Sequence, residues 1–142
     1  VYTGIKRTAH EIAKSYVSKL NNSKREHMIQ ICNFVSEAEK ILKKGNIDDF
    51  GRLLHDSWLE KKRLSLSITN SKIDQIYSAA INNGAIGGKL LGAGGGGFLL
   101  FYVPKNKQKK FIKHFKKLTN VPFNFSFEGS KIMFKNLTKN SL

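Results

Sequence analysis

A glycine-rich stretch, GGKLLGAGGGGFLLFYV at residues 87–103, contains the groups best suited to chemistry in this chain. Backbone amides without side chains can approach a phosphate or a sugar hydroxyl closely, and successive N–H groups in a loop form an anion-binding concavity. The same composition also suits a tight hairpin between two strands, because glycine adopts positive φ without steric cost. The glycine content alone leaves both interpretations open.

Other motifs that bind nucleotides or metals have spacings that this sequence lacks. A Walker A loop places Gly-Lys-Ser/Thr after its glycines, and a dinucleotide fingerprint opens a helix, whereas the apolar run FLLFYV at 98–103 predicts a strand. The 4 histidines are scattered without a paired spacing, and the single Cys32 forms neither an internal disulfide nor a multi-cysteine site. The sequence therefore predicts no metal site.

Capping signals and apolar periodicity predict three or four helices before the glycine loop. The helices are expected from Thr8 to about Leu20, over 24–44, from Asn46 to about 62, and from Asn70 or Ser71 to Gly84. Thr8 with Glu11 and Ser23 with Glu26 have capping-box spacing, and Gly45 is expected to close the second helix. Residues 63–70 are expected to form a structured loop.

Four strand-like segments frame these helices. They are expected at residues 1–6, 86–91, 98–103 and 121–127, with a basic surface helix at 105–118 between the last two. This order predicts an α+β fold with a ferredoxin-like split β-α-β core, an antiparallel sheet and inserted helices. We expect one domain over residues 1–134 and a polar C-terminal tail at 135–142.

Composition limits the class of protein. The 142 residues are 40% hydrophobic, enough for one core, and carry a formal net charge of +15. Such a charge can attract polyanions, but the excess is mostly lysine spread along the chain and no nucleic-acid motif is present, so nucleic acid is not the expected partner. Without a membrane-spanning run or an export signal, we expect a cytoplasmic protein that does not bind membranes. Its start at Val1 predicts a fragment of a longer protein.

The segment GGKLLGAGGGGFLLFYV resembles the third conserved motif of the GHMP kinases, the glycine loop of their C-terminal domain. Three further segments resemble more narrowly the sugar kinases that act on D-glycero-D-manno-heptose 7-phosphate. They are TGIKR at 3–7, LLHDSWLEKKRLSLSITNSKIDQIY at 53–77 and NNGAIGGKLLGAGGGG at 82–97. The resemblance extends to about residue 134.

This resemblance implies the C-terminal half of a two-domain, ATP-dependent sugar-phosphate kinase. In that family the serine-rich phosphate loop and the acidic residue proposed as base lie in the N-terminal domain, so no catalytic residue is expected in this chain, and the chain alone should be inactive. The intact enzyme would transfer the γ-phosphoryl group of ATP to the anomeric hydroxyl of heptose 7-phosphate. ATP and Mg²⁺ would be bound mainly by the N-terminal domain, which is also the expected protein partner.

The resemblance also implies which residues contact substrate or phosphate. The glycines expected to line the cleft between the domains are Gly92, Gly94, Gly95, Gly96 and Gly97. Lys89 is a candidate phosphate contact, although a lysine at a strand end is as often exposed to solvent. Arg7 can clamp a phosphate bidentately, and its alternative is an ion pair with the first turn of the next helix.

A basic segment after the predicted third helix is a second candidate. Lys61, Lys62 and Arg63 would hold the phosphate that the substrate already carries, and Ser65 would bind sugar hydroxyls. The alternative is a favourable interaction of the cations with the helix dipole. Trp58 falls on the apolar stripe and is expected in the core.

Two other functions fit a basic ferredoxin-like module: contact with nucleic acid through its sheet, or regulation by a small ligand. The strands lack the exposed aromatic pattern of RNA-binding sheets, which favours the kinase interpretation. Salt dependence separates the two, because non-specific nucleic-acid binding weakens steeply as ionic strength rises.

Overall fold

The structure is a computed structural model that describes residues 1–20, 22–124 and 128–130. Within these residues the chain forms five α-helices and one β-hairpin. They are α1 (Ala9–Val17), α2 (Arg25–Lys44), α3 (Ile47–Leu64), α4 (Ser71–Asn82), β1 (Gly87–Leu90), β2 (Leu99–Tyr102) and α5 (Gln108–His114). Short 3₁₀ turns at Leu66–Ile68 and Lys105–Lys107 precede α4 and α5.

The helix ends follow the expected capping chemistry only in part. Gly45 closes α2 with φ 79°, and the Asn70 side chain accepts a hydrogen bond (3.1 Å) from an amide in the first turn of α4. Both predicted capping boxes are wrong. Thr8 precedes α1 without a side-chain cap bond, and α2 begins after Lys24, so Ser23 lies outside its cap.

The sheet is an antiparallel hairpin in which β1 pairs with β2, from Gly87 opposite Tyr102 to Leu90 opposite Leu99. The predicted strand at 1–6 is reduced to a single antiparallel bridge between Tyr2 and Phe98. Gly4 follows at φ 74°, a left-handed conformation that turns the segment out of the extended path.

The C-terminal prediction also needs correction. The expected helix at 105–118 is a 3₁₀ turn followed by α5, which ends at His114. The expected strand at 121–127 is absent over residues 121–124, and residues 125–127 and the predicted tail at 135–142 lie outside the described residues. Phe111 and Phe115 of this segment are buried, whereas Ile112 is exposed.

The core lies between the hairpin and the layer formed by α3 and α4, with α5 closing one side. Its most buried members are Trp58, Ile68, Ile73, Ala80, Leu90 and Leu99. Helix α3 crosses β1 at a glycine pair, since a Cβ on Gly87 would lie 1.9 Å from the carbonyl oxygen of Gly51. A Cβ on Gly51 would lie 2.5 Å from Cδ1 of the Tyr102 ring on β2, so both positions must stay glycine for α3 to pack this closely on the hairpin.

Helix α2 packs against α3 at the edge of the molecule. Its predicted apolar face exists, but no residue of α2 is fully buried, and Val35 and Leu42 are exposed. The predicted class, an α+β domain with an antiparallel sheet and inserted helices, is confirmed. Of the four expected strands, two form in the described part of the chain.

Candidate functional site

The glycine loop between β1 and β2 depends on left-handed backbone. Four of its glycines have positive φ: Gly92 (71°), Gly94 (128°), Gly95 (72°) and Gly97 (94°). Residues with a side chain rarely adopt these angles, so the composition of the loop follows directly from its path.

The loop is packed on both sides. Gly94, Gly95 and Gly96 are buried, whereas Gly92 is exposed and Gly97 is half-buried. The Gly95 amide donates to the Ile68 carbonyl (2.8 Å), and the Gly97 amide donates to the Ile5 carbonyl (2.9 Å). The loop is therefore held between the N-terminal segment and the 3₁₀ turn that precedes α4.

The remaining amides of the loop are differently placed. Those of Gly92, Gly94 and Gly96 have no hydrogen-bond acceptor among the described residues. Asn70 has a second role that its sequence position did not reveal, because its side-chain amide donates to the Gly95 carbonyl (3.2 Å) while its oxygen caps α4. One side chain thus fixes the loop relative to a helix.

Two half-buried lysines flank the first turn of the loop. Lys61, from α3, donates through Nζ to the carbonyls of Leu90 (3.1 Å) and Gly92. Lys89, from β1, donates to the Ser57 hydroxyl (3.0 Å), also on α3. Burial, and secondarily the charge of Lys89, lower the pKa of Lys61 to about 8. Burial also lowers the pKa of Lys89.

Both ammonium groups are therefore partly removed from water, Lys61 beside two backbone carbonyls and Lys89 beside the Ser57 hydroxyl. An anion between or beside them would relieve both the desolvation and the mutual repulsion. The alternative of a fully exposed Lys89 is thereby excluded.

Arg7 lies across the loop. Its side chain passes 3.2 Å from the position that a Cβ on Gly95 would occupy. The expected alternative, an ion pair with the first turn of α1, does not form among the described residues. Arg7 is exposed and its guanidinium has no acidic partner in that part of the chain.

The basic segment 61–63 does not act as one unit. Lys61 faces the loop, while Lys62 lies over the Trp58 ring, with Nζ 5.7 Å from its centroid, and 3.4 Å from an Asp74 carboxylate oxygen. The Arg63 side chain pairs with Glu60. Lys61 thus points away from Lys62 and Arg63, because side chains at successive helical positions point in different directions. That these residues contact a phosphate stays a prediction.

Ser65 lies at the C-terminal end of α3, on the same side of the molecule as Lys62 and Arg63. Its hydroxyl lies 2.8 Å from that of Ser15 and 2.8 Å from that of Ser67, at the open end of α3. Ser15 was not a sequence-based candidate, because its contact with Ser65 joins residues 50 positions apart.

The histidines and the cysteine have ordinary surroundings. His27 lies 2.8 Å from Glu60, His55 lies 2.8 Å from the Tyr77 hydroxyl, and Cys32 is exposed. Trp58 is fully buried in the core, as expected. Within the described ranges no group of three potential metal ligands converges, and no helix is long and apolar enough to cross a membrane.

Residues 38–118 match the family of the GHMP kinases C terminal domain. The chain belongs to this family, and the resemblance drawn from its glycine loop is confirmed.

Its relatives include sugar kinases. The chain is 35% identical over 133 residues to the D-glycero-alpha-D-manno-heptose 7-phosphate kinase of Campylobacter jejuni subsp. jejuni serotype O:2, covering 92% of this chain and 39% of that protein. It is 34% identical over 110 residues to the L-fucokinase/L-fucose-1-P guanylyltransferase of Bacteroides fragilis, covering 75% of this chain and 11% of that protein.

A solved structure shows the same fold. The crystal structure of L. major mevalonate kinase in complex with R-mevalonate aligns with 83% of this chain and 37% of its own, with a TM-score of 0.70 and 20% identity. At that identity the likeness concerns the fold alone. The chain thus spans about two fifths of this kinase and of the heptose kinase.

Proposed function

We propose that this chain is the C-terminal half, residues 1–134, of an ATP-dependent sugar-phosphate kinase with a separate N-terminal domain. The proposed reaction is phosphoryl transfer from ATP to the anomeric hydroxyl of D-glycero-D-manno-heptose 7-phosphate. The observation that supports this choice of substrate is the 35% identity to a heptose 7-phosphate kinase over 92% of this chain. Because the reaction needs ATP, the proposed enzyme acts in the cytoplasm.

The glycine loop is the proposed border of the phosphate-transfer cleft. The exposed turn at Gly92 is the part that a ligand can reach first, and the acceptor-free amide of Gly92 is an available donor there, whereas Gly94 and Gly96 are buried. Lys61 and Lys89 supply positive charge at the same turn. Phosphoryl transfer is catalysed mainly by positioning and charge stabilisation, which suits such groups.

Arg7 is proposed to clamp a phosphate from the other side of the loop. Its guanidinium is exposed, lacks an acidic partner among the described residues and can donate two parallel hydrogen bonds. It therefore fits an anion better than it fits a structural ion pair.

ATP and Mg²⁺ are the implied cofactors. The lysines and the free Gly92 amide described above fit phosphate oxygens. No cluster of acidic or histidine ligands in the described residues fits a magnesium ion. We therefore propose that Mg²⁺ and most of ATP are bound by the N-terminal domain, that the catalytic base lies there too, and that this chain alone is inactive.

The packing of the sheet does not favour the nucleic-acid alternative. Phe101, the aromatic residue in the middle of β2, packs against Tyr77 (centroids 5.6 Å apart) and Phe111 (5.7 Å). It is therefore part of the core and does not offer a stacking surface for bases.

The test is ATP consumption with D-glycero-D-manno-heptose 7-phosphate, measured in a coupled assay. The natural protein that carries this chain should turn over, and the 142-residue chain alone should not. Turnover with galactose or L-fucose but not with the heptose phosphate would refute the substrate and keep the kinase class. Activity of the isolated chain would refute the proposed division of chemistry between domains.

A further inference from the structure

A cavity of about 750 Å³ opens between the C-terminal ends of α1 and α3 and the 3₁₀ turn that follows α3. It is lined by Ser15, Lys19, Lys24, Leu59, Lys62, Arg63, Leu64, Ser65, Leu66 and Ser67. Binding sites for small molecules commonly have volumes of about 300–1,000 Å³. The cavity is thus large enough for a phosphorylated sugar.

Its lining is strongly cationic. Four lining residues are basic and none is acidic: Lys19, Lys24, Lys62 and Arg63. Two acids just behind the wall offset part of this charge, since Glu60 pairs with Arg63 and Asp74 lies 3.4 Å from Lys62.

The other two cations have no acidic partner in the part of the chain that the structure describes. Lys24 donates to the Arg63 carbonyl (2.6 Å), and Lys19 makes no side-chain hydrogen bond there. The cavity wall therefore keeps an excess positive charge, which favours an anion carrying about two negative charges, as a phosphate monoester does near neutral pH.

Three serine hydroxyls meet on one wall. Ser15 lies 2.8 Å from Ser65 and 2.9 Å from Ser67, and Ser65 lies 2.8 Å from Ser67. The Ser15 hydroxyl has a strong acceptor in the Ile12 carbonyl (2.6 Å). When its proton goes there, the protons of Ser65 and Ser67 are free to turn toward each other, toward Ser15 or toward a ligand.

We propose that this cavity binds a sugar phosphate, with its basic residues on the phosphate monoester and the serine hydroxyls on the sugar. The choice of a sugar phosphate rests on the proposed function, whereas the preference for a phosphate monoester rests on the lining alone. The phosphate bound here is the one that the substrate already carries, distinct from the phosphoryl group transferred beside Lys61 and Lys89.

The cavity and the glycine loop share a wall. A Cβ on Gly95 would lie 3.3 Å from the Ser67 carbonyl oxygen, so the 3₁₀ turn contacts the loop on one side and lines the cavity on the other. One substrate can therefore anchor its existing phosphate in the cavity and extend toward the loop. The cavity then acts as the determinant that selects phosphorylated over unphosphorylated sugars.

The test is calorimetric titration of the natural protein that carries this chain, without ATP, using glucose 6-phosphate, glucose and inorganic phosphate as probes. We expect binding of glucose 6-phosphate and inorganic phosphate, and none of glucose. The variants Lys19→Gln and Arg63→Gln should each weaken glucose 6-phosphate binding about tenfold or more, as expected for loss of a charged hydrogen bond. The Arg63→Gln variant should fold, because the Arg63 side chain is 58% exposed. The bond from Lys24 to residue 63 is made to the backbone carbonyl and does not depend on the side chain.

The matched control is Lys44→Gln, which removes the same charge from the exposed end of α2, away from the cavity. It should leave binding unchanged. Equal weakening in the control, or unchanged binding in both cavity variants, would overturn the proposal. A Ser65→Ala variant should weaken glucose 6-phosphate binding more than inorganic phosphate binding, and equal effects would refute the role of the serines.

The proposed sugar-phosphate binding in the cavity and the proposed kinase reaction can be refuted separately. Turnover of heptose 7-phosphate with an unchanged KM in both cavity variants would remove the cavity from substrate binding and leave the kinase assignment intact. Phosphate-dependent binding that is lost in the cavity variants, in a protein without heptose kinase activity, would retain the cavity and remove the reaction.

Discussion

Replacing Gly92 by alanine separates the conformational role of the glycine loop from its functional role. Gly92 has φ 71°, and a Cβ added there would meet no atom within 4 Å. Gly45, at the end of α2, has nearly the same backbone (φ 79°) and the same open space. The two substitutions therefore impose the same strain, one beside the proposed cleft and the other far along the chain.

The expected cost in stability is similar at both positions. A residue with a Cβ in the left-handed region loses roughly 1–2 kcal/mol relative to glycine, and neither site adds a steric clash. Each variant should therefore lose roughly 1–2 kcal/mol in free energy of unfolding, a tolerable share of the roughly 5–15 kcal/mol typical of folded proteins. Both should remain folded at room temperature.

The assay combines urea unfolding with steady-state kinetics on the natural protein that carries this chain. Gly45→Ala should keep kcat/KM near the wild-type value. Gly92→Ala should lower kcat/KM about tenfold or more, because strain at residue 92 shifts its backbone amide together with its carbonyl, to which Lys61 donates. Equal kinetics in two equally destabilised variants would refute the role of the exposed turn. A much larger loss of stability at Gly92 would refute the strain argument.

Four further results are expected. Gly96→Ala should destabilise the protein by more than the strain-only variants in urea unfolding, because the new Cβ would lie 2.5 Å from the Ile5 carbonyl oxygen; a cost below about 1 kcal/mol would contradict this packing. Lys89→Gln should raise the pKa of Lys61 from about 8, but not to its usual 10.5, because burial is the larger cause; an NMR titration of the Lys61 side chain that shows no change would exclude the repulsion. In the wild-type protein at pH values between about 8 and 10.5, Lys61 is mostly deprotonated in the folded state and mostly protonated in the unfolded chain. Its contribution should therefore make the free energy of unfolding rise with pH over that range, and a Lys61→Met variant should lack this slope. Tyr77→Phe should cost about 1–2 kcal/mol of unfolding free energy, because the buried hydroxyl donates to a β1 carbonyl (3.1 Å); unchanged urea unfolding would show that this bond contributes nothing.

Periodicity and glycine positions predicted the elements that position the site. The apolar stripe that contains Trp58 placed α3 in the core, and the change from helical to strand-like pattern located the hairpin on either side of the loop. These signals are local, because one helix face or one strand is defined by residues a few positions apart. The predicted caps at Gly45 and Asn70 are confirmed for the same reason, because capping depends on residues within one helical turn.

The wrong predictions concern two helix starts and the elements that depend on distant contacts. Thr8 and Ser23 have the right spacing for capping boxes, yet neither side chain caps a helix. The segment at 1–6 has strand composition, but it forms only one bridge, at Tyr2, before Gly4 leaves the extended path, and Ile5 then contacts the glycine loop through its carbonyl. Ser65 is a candidate from the sequence, but its contact with Ser15 is not, because that contact depends on how α1 lies beside the end of α3.

The division of the basic residues of α3 between two places follows from helix geometry. Residues four positions apart lie on the same face of a helix. Lys61 therefore shares a face with Ser57, which contacts Lys89 on β1. Arg63 shares a face with Leu59, and both line the cavity. Successive positions differ by about 100° around the helix, so Lys61 and Arg63, two positions apart, face nearly opposite directions. Lys61 therefore faces the glycine loop, while Lys62 and Arg63 line the cavity. The functional proposals follow this division, with a lysine pair for the phosphoryl group in transfer and a separate basic cavity for the phosphate that the sugar already carries.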